Sequence, residues 1–161
     1  PPVTPDAATT PSATAFETFT LEDVFAIDVP QGWQVAGMVA DSTAVITNYS
    51  SDRSADTASE LTDIKTEVTL VPESPSTFVD REIDALIQSG YIIDQFGMTT
   101  VKGNTAFRVW LIDLPQDYTH QIITFVGYDQ ERTAKIVSHY NDPSPANVEL
   151  ILDIHRSFEL L

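Results

Sequence analysis

The stretch Ile64-Lys65-Thr66-Glu67-Val68-Thr69-Leu70-Val71, followed by Pro72-Glu73-Ser74-Pro75 and then by residues 76–90, changes its hydrophobic period once. That change decides the fold class. Ile64, Thr66, Val68 and Leu70 fall on one face, with Lys65, Glu67 and Thr69 on the other, the period of a half-buried strand. Ser74-Pro75 then supplies an acceptor side chain at a helix cap and a proline in the first turn, and Gly90 stands just past the end. Val79, Ile83, Leu86 and Ile87 form the stripe this helix is expected to bury.

Upstream, Phe19 and Leu21, then Phe25, Ile27 and Val29 on every second residue, predict a bent strand or hairpin, which Pro30-Gln31-Gly32-Trp33 turns. Ala44–Tyr49 predicts a further strand. Residues 50–63 are polar and predict a long mobile loop or an insertion at a strand end. Downstream, strands are expected at Tyr91–Val101, Thr105–Leu114, Thr119–Tyr128 and Thr133–Tyr140, with connections short enough for antiparallel hairpins. Sequential antiparallel pairing is the simplest topology. A second helix opens at Ser144-Pro145, with Leu150, Ile151, Ile154, Phe158 and Leu161 on one side. Two helices on an antiparallel sheet make an α+β fold, an α/β/α sandwich.

The chain of 161 residues fits one domain and at 42% hydrophobic residues can bury a core. Residues 1–15 carry four Pro, four Thr and no aromatic residue, so they predict a disordered tether ahead of a single domain at 16–161. Such a spacer suggests export, with membrane contact only through an N-terminal anchor outside this chain. The first residue is Pro1, which is expected of a processed or trimmed chain whose signal peptide is gone. A formal charge of −16 repels phosphate backbones and anionic lipid surfaces, and so disfavours nucleic acid. Residues 1–63 hold ten acids and only Arg53 as a base. An acidic docking face for a basic partner would explain this, but plain solubility or a salty medium explains it more simply.

No Cys is present, which removes disulfides, thiol nucleophiles and Cys-based zinc sites. Neither G-x-G-x-x-G nor G-x-x-x-x-G-K-[ST] occurs, and no cofactor is indicated. His120 and His139 stand on neighbouring predicted strands, where a shared face would bring them together with Asp117 or Asp142 as a metal site, although no fixed-spacing signature accompanies them. His155 flanks the stripe of the last helix and is expected at its boundary. Asp52, Asp56, Glu60 and Asp63 lack the alternate spacing and the glycine of a calcium loop and read as a solvated charge run. Ser138 and His139 are adjacent, so a strand sends them to opposite faces and no triad forms. Trp33 and Trp110 read first as core anchors. The binding candidates are Trp33, Tyr118, His120, His139 and Tyr140, as surface or groove residues.

Phe25-Ala26-Ile27-Asp28-Val29-Pro30 followed by Gly32-Trp33, and Ile154-His155-Arg156-Ser157-Phe158 near the other end, resemble the opening and closing motifs of the PsbP-like superfamily. Between them the strand ending Val71-Pro72, the helix Phe78–Ser89 and three successive strands keep the same order. This is the fold of the extrinsic oxygen-evolving protein of photosystem II, found also in bacterial lipoproteins, a Ran-binding nuclear protein and chaperones. The resemblance implies a non-enzymatic binding or assembly module, located in a periplasm, thylakoid lumen or cell surface, with a protein partner such as a membrane complex. The extrinsic photosystem protein docks through basic residues, which are few here. A carrier with a small apolar ligand between sheet and helix, in a cavity lined by Trp110 and Phe125, is the alternative. A metal-dependent hydrolase using His120 and His139 comes third.

Overall fold

The computed structural model describes residues 14–50, 52–53 and 57–161. The predicted tether lies outside them except for Thr14 and Ala15. Ten strands and two α-helices follow in the order β1 (Phe16–Leu21), β2 (Phe25–Pro30), β3 (Gln34–Met38), β4 (Thr43–Thr47), β5 (Ile64–Val71), α1 (Pro75–Ser89), β6 (Ile92–Val101), β7 (Asn104–Ile112), β8 (His120–Gly127), β9 (Thr133–Tyr140), α2 (Pro145–Arg156) and β10 (Glu159–Leu160). Seven strands form one sheet in the order β3-β4-β5-β9-β8-β7-β6, and β1-β2-β10 form a small second sheet. All neighbours pair antiparallel. The fold is α+β, as expected.

The simplest topology fails at one place. Sequential pairing holds for β3-β4-β5 and for β6-β7-β8-β9, but β5 pairs with β9 rather than β6. A helix stands between β5 and β6, so the chain crosses to the far edge and meanders back. β3 was absent from the sequence reading because Gln34-Val35-Ala36-Gly37-Met38 alternates weakly and is mostly exposed. It is an edge strand, and Gly37 permits β1 to approach: a Cβ there would meet Leu21 Cδ1 at 2.9 Å and Phe19 Cζ at 3.0 Å.

α1 forms as its sequence dictates: Ser74 accepts from the Thr77 amide at 3.3 Å, and Gly90 ends the helix at φ 73°. Its stripe is shifted, however. Phe78 is the deeply buried residue, while Ile87 is 60% exposed. α2 ends at Arg156, so Phe158 lies beyond the helix and is fully buried by the turn into β10, whereas Leu161 is exposed. The Ser157 hydroxyl accepts from the Asp28 amide at 2.8 Å and pins this turn to β2.

The two faces of the large sheet are covered differently. On one face, α2 and the small sheet enclose Phe25, Ile27, Ile46, Val68, Ile136, Ile154 and Phe158. Each such side chain contributes about 1.5–3 kcal/mol by leaving water. On the other face only α1 lies against Val109, Leu111, Ile123, Phe125 and Val137.

Candidate functional site

Register decides what the candidate residues can do together. Cross-strand partners share a face. His120 pairs with Tyr140, and Gln121 pairs with His139. His120 and His139 therefore point to opposite faces, and the metal-hydrolase arrangement is not assembled. Among the described residues no group of three or more His, Asp or Glu is placed to hold a metal ion.

On the α2 side, the His120 ring lies 5.3 Å from that of Tyr140, and its Nδ1 is 2.8 Å from Thr119 Oγ1. Tyr140 is only 2% exposed, and burial pushes its phenol up to about 12. It is a core residue rather than a surface or groove one. Trp33 is half-buried and packs against the α2-side core, as the anchor reading expects. On the α1 side, Tyr118 donates to the Tyr49 hydroxyl at 2.9 Å, and its ring lies 5.8 Å from His139. Burial, then the Tyr49 hydrogen bond, pushes the Tyr118 phenol up. His139 Nε2 is 3.0 Å from Glu67 Oε1, and that bond holds Glu67 below the usual carboxylate range.

In the acidic series of residues 50–63, Asp52 and Glu60 are exposed as a solvated run expects, while Asp63 is buried and paired. Arg53 pairs with Asp63 and, at 3.6 Å, with Glu60. Asp63 also accepts from the Glu60 amide at 2.8 Å, and Ser59 is tied to Asp117 through its amide at 2.9 Å. Asp56 lies outside the described residues.

His155 corrects the sequence reading most. Expected at a boundary, it is fully buried on the face of α2 turned to the sheet. Arg108 Nε donates to Thr124 Oγ1 at 2.9 Å, which leaves the Thr124 hydroxyl proton for His155 Nδ1 at 2.7 Å. The other ring nitrogen, Nε2, then carries the proton and donates to Ser138 Oγ at 2.8 Å, and Ser138 reaches Thr66 at 2.7 Å. One chain of hydrogen bonds thus crosses β7, β8, β9 and β5. Burial, helped by the Arg108 charge, pushes the imidazole down to about 3. Ser138 and His155 pair as a nucleophile and base would, but both are sealed from solvent. The pair ties α2 to the sheet.

The α1 side carries an open groove of about 760 Å³ between α1 and the β6–β8 end of the sheet. Val79 and Ile83 form the helix wall, Phe107 and Phe125 the floor, Met98 the far side. Phe125 was expected here. Trp110 was expected beside it but packs on the opposite face with Ile122 and Ile151, because adjacent registers alternate. Phe96 and Met98 on β6 are 71% and 68% exposed and extend the apolar surface to the sheet edge, with the Phe96 and Phe107 rings 6.1 Å apart. Large apolar side chains exposed together in one patch make this groove the candidate site. Sequence reasoning missed it: Phe96 and Met98 alternate like any strand face, and nothing in the chain says that α1 stops short of them.

The element order, the split sheet and the α2 turn at Ser157-Phe158 can be compared with solved structures. The chain has a PsbP-like fold. Cyanobacterial PsbP from Synechocystis sp. PCC 6803 superposes with a TM-score of 0.57 over 94% of this chain and 96% of that one, at 12% identity. A mutant of protein Mog1 gives a TM-score of 0.58 over 91% and 96%, at 16% identity. No protein-family model and no curated protein matches the chain. At these identities the likeness carries the PsbP-like architecture and leaves function to the residues of the groove.

Proposed function

We propose that this chain is a non-catalytic, extracytoplasmic binding or assembly module that docks a protein partner, a membrane complex foremost, on the α1 side of its sheet. The observation that carries the reading is the unfilled groove continuous with exposed Phe96 and Met98. Apolar surface on this scale costs free energy in water unless something covers it. The Pro/Thr-rich residues 1–15 serve as the spacer, and export and an N-terminal anchor belong to the same proposal.

A photo-crosslinking side chain at position 98, with position 38 on the opposite sheet edge as the control, tests it in detergent-solubilised membranes of the source cell. A discrete protein adduct formed only from position 98 supports docking; equal labelling from both positions refutes it. The carrier reading has one observation of its own, since the groove lies between sheet and helix at a volume typical of small-ligand pockets. Native mass spectrometry that finds a lipid or other apolar molecule in place of an adduct would favour the carrier.

A further inference from the structure

We infer that the groove receives a basic amphipathic helix of the partner, lying beside α1 over β6 and β7. This inference rests on the docking reading above and names the shape and charge of what docks. α1 rides on β8 and β9: the Phe78 ring meets the Phe125 ring edge-on at 5.9 Å, and Glu82 receives Lys135 of β9 at 2.9 Å. Strands are spaced about 4.8 Å apart, so β6 lies about 10 Å to the side of β8. Packed helices lie about 8–10 Å apart. A second helix placed beside α1 at that distance comes down on β6 and β7, over Phe96, Met98 and Phe107, the apolar surface left uncovered.

The flank of α1 turned to that space is built to meet a helix. Val79, Ile83 and Ile87 recur at intervals of four; the first two are half-buried and Ile87 is 60% exposed. Beside them on the groove wall stand Asp80 and Asp84, also four apart, and neither carboxylate makes a hydrogen bond or ion pair with any described residue. No lysine or arginine lines the groove. Arg81, Lys135 and Arg132 are already engaged, with Glu73, Glu82 and Asp129, and Lys102 stands apart from α1 on the exposed turn between β6 and β7. The wall therefore presents uncompensated negative charge, and Lys or Arg spaced four apart on a facing helix would complement it. A second copy of this chain is disfavoured by the same charges, because at −16 each protomer repels its twin.

The test titrates the full chain with three synthetic peptides and with oleate, read by calorimetry and by amide NMR shifts. One peptide holds Leu and Lys at helical spacing over about 18 residues, long enough to support a helix. The second has the same composition in strict alternation, the pattern of an added strand. The third replaces Lys with Glu at helical spacing. The helical Leu/Lys peptide is expected to bind most tightly and to shift α1 and β6 amides. Asp80→Asn with Asp84→Asn should weaken it about tenfold, and Phe96→Ser with Met98→Ser about tenfold or more. Glu17→Gln with Glu22→Gln, the same change in charge on β1 and the turn after it, should change affinity by less than about twofold. All six positions are exposed, so these variants fold. Tighter binding of the alternating or acidic peptide that still depends on Phe96 and Met98 would overturn the helix inference while leaving the docking reading intact. Binding of oleate alone would overturn both. Equal losses in the groove and control charge variants, or no peptide binding, would overturn the helix inference. So would a concentration-dependent dimer that buries Met98.

Discussion

Acidification should destabilise this protein through His155, and the size of the effect follows from where the ring sits. The imidazole is fully buried, its Nδ1 already accepts from Thr124, and Arg108 is the one ionisable side chain in its hydrogen-bonded chain, so a second proton has no favourable place. Its folded pKa lies near 3 against 6.5 for a free histidine. The sign follows directly. The unfolded chain takes up the proton below 6.5 and the folded chain does not, so the stabilisation is complete above that value and is lost as pH falls toward 3. Between about pH 7 and pH 5 the loss from this one group is about 2 kcal/mol, at about 1.4 kcal/mol for each unit below 6.5. With a urea slope of about 2 kcal/mol per molar, the unfolding midpoint should drop by about 1 M more in the native chain than in His155→Gln. The amide variant has no proton to gain, and every other group is common to both proteins, so the difference isolates His155. Fluorescence of Trp33 and Trp110 reports the transition. Equal pH dependence in the two proteins would refute the argument. Should the variant fold poorly, a His155 ring whose NMR shifts titrate near 6.5 in the native chain would refute it as well.

Phe158→Ala should destabilise by about 3–5 kcal/mol, because the ring is fully buried with the Phe25 and Tyr128 rings 5.2 and 5.7 Å away, and thermal unfolding measures it. Gly90→Ala should cost about 1 kcal/mol in chemical denaturation, from the positive φ at the α1 terminus rather than from crowding, since nothing lies within 4 Å of the added carbon. Arg108 is 8% exposed and makes no ion pair with a described carboxylate, and its Nη2 lacks a hydrogen-bond partner. Arg108→Met should therefore be neutral or stabilising by about 1–3 kcal/mol, and should raise the His155 pKa by removing a neighbouring positive charge, both readable by denaturation and NMR. A marked loss of stability would show that the guanidinium has a counter-charge in solution.

The strands and helices were legible where local chemistry dictates them. Ile64–Val71 alternates because one face meets Ile136 and its neighbours, and Ser74-Pro75 and Gly90 bracket α1 by backbone chemistry that needs no tertiary partner. What tertiary packing decides was not legible. Alternation placed His120 and His139 on adjacent strands but could not give the register, and a shift of one residue sends a side chain to the other face. The same one-residue question separated Trp110 from Phe125. His155 looked like a boundary residue because a polar ring beside an apolar stripe is read as exposed; Thr66, Thr124 and Ser138, on three different strands, make its burial tolerable. Ile87 was assigned to the buried stripe because helical period fixes which residues share a face but not how far the sheet extends beneath it.

The charge of this chain acquires a different meaning once the faces are distinguished. A net of −16 by itself is explained by solubility, and Asp63, Glu67, Glu73, Glu82 and Asp129 each have a partner within the fold. Among the described residues Asp80 and Asp84 have none, and they stand on the wall of the apolar groove. Solubility would be served equally by acids anywhere on the surface, but it does not account for Phe96 and Met98 being left exposed across the groove from them. Apolar surface gives affinity for many partners, and unpaired charge next to it selects among them by sign. The α2 side, with its sealed network and small sheet, holds the molecule together. The α1 side leaves Phe96, Met98 and the open groove exposed, and the helix we infer would cover them.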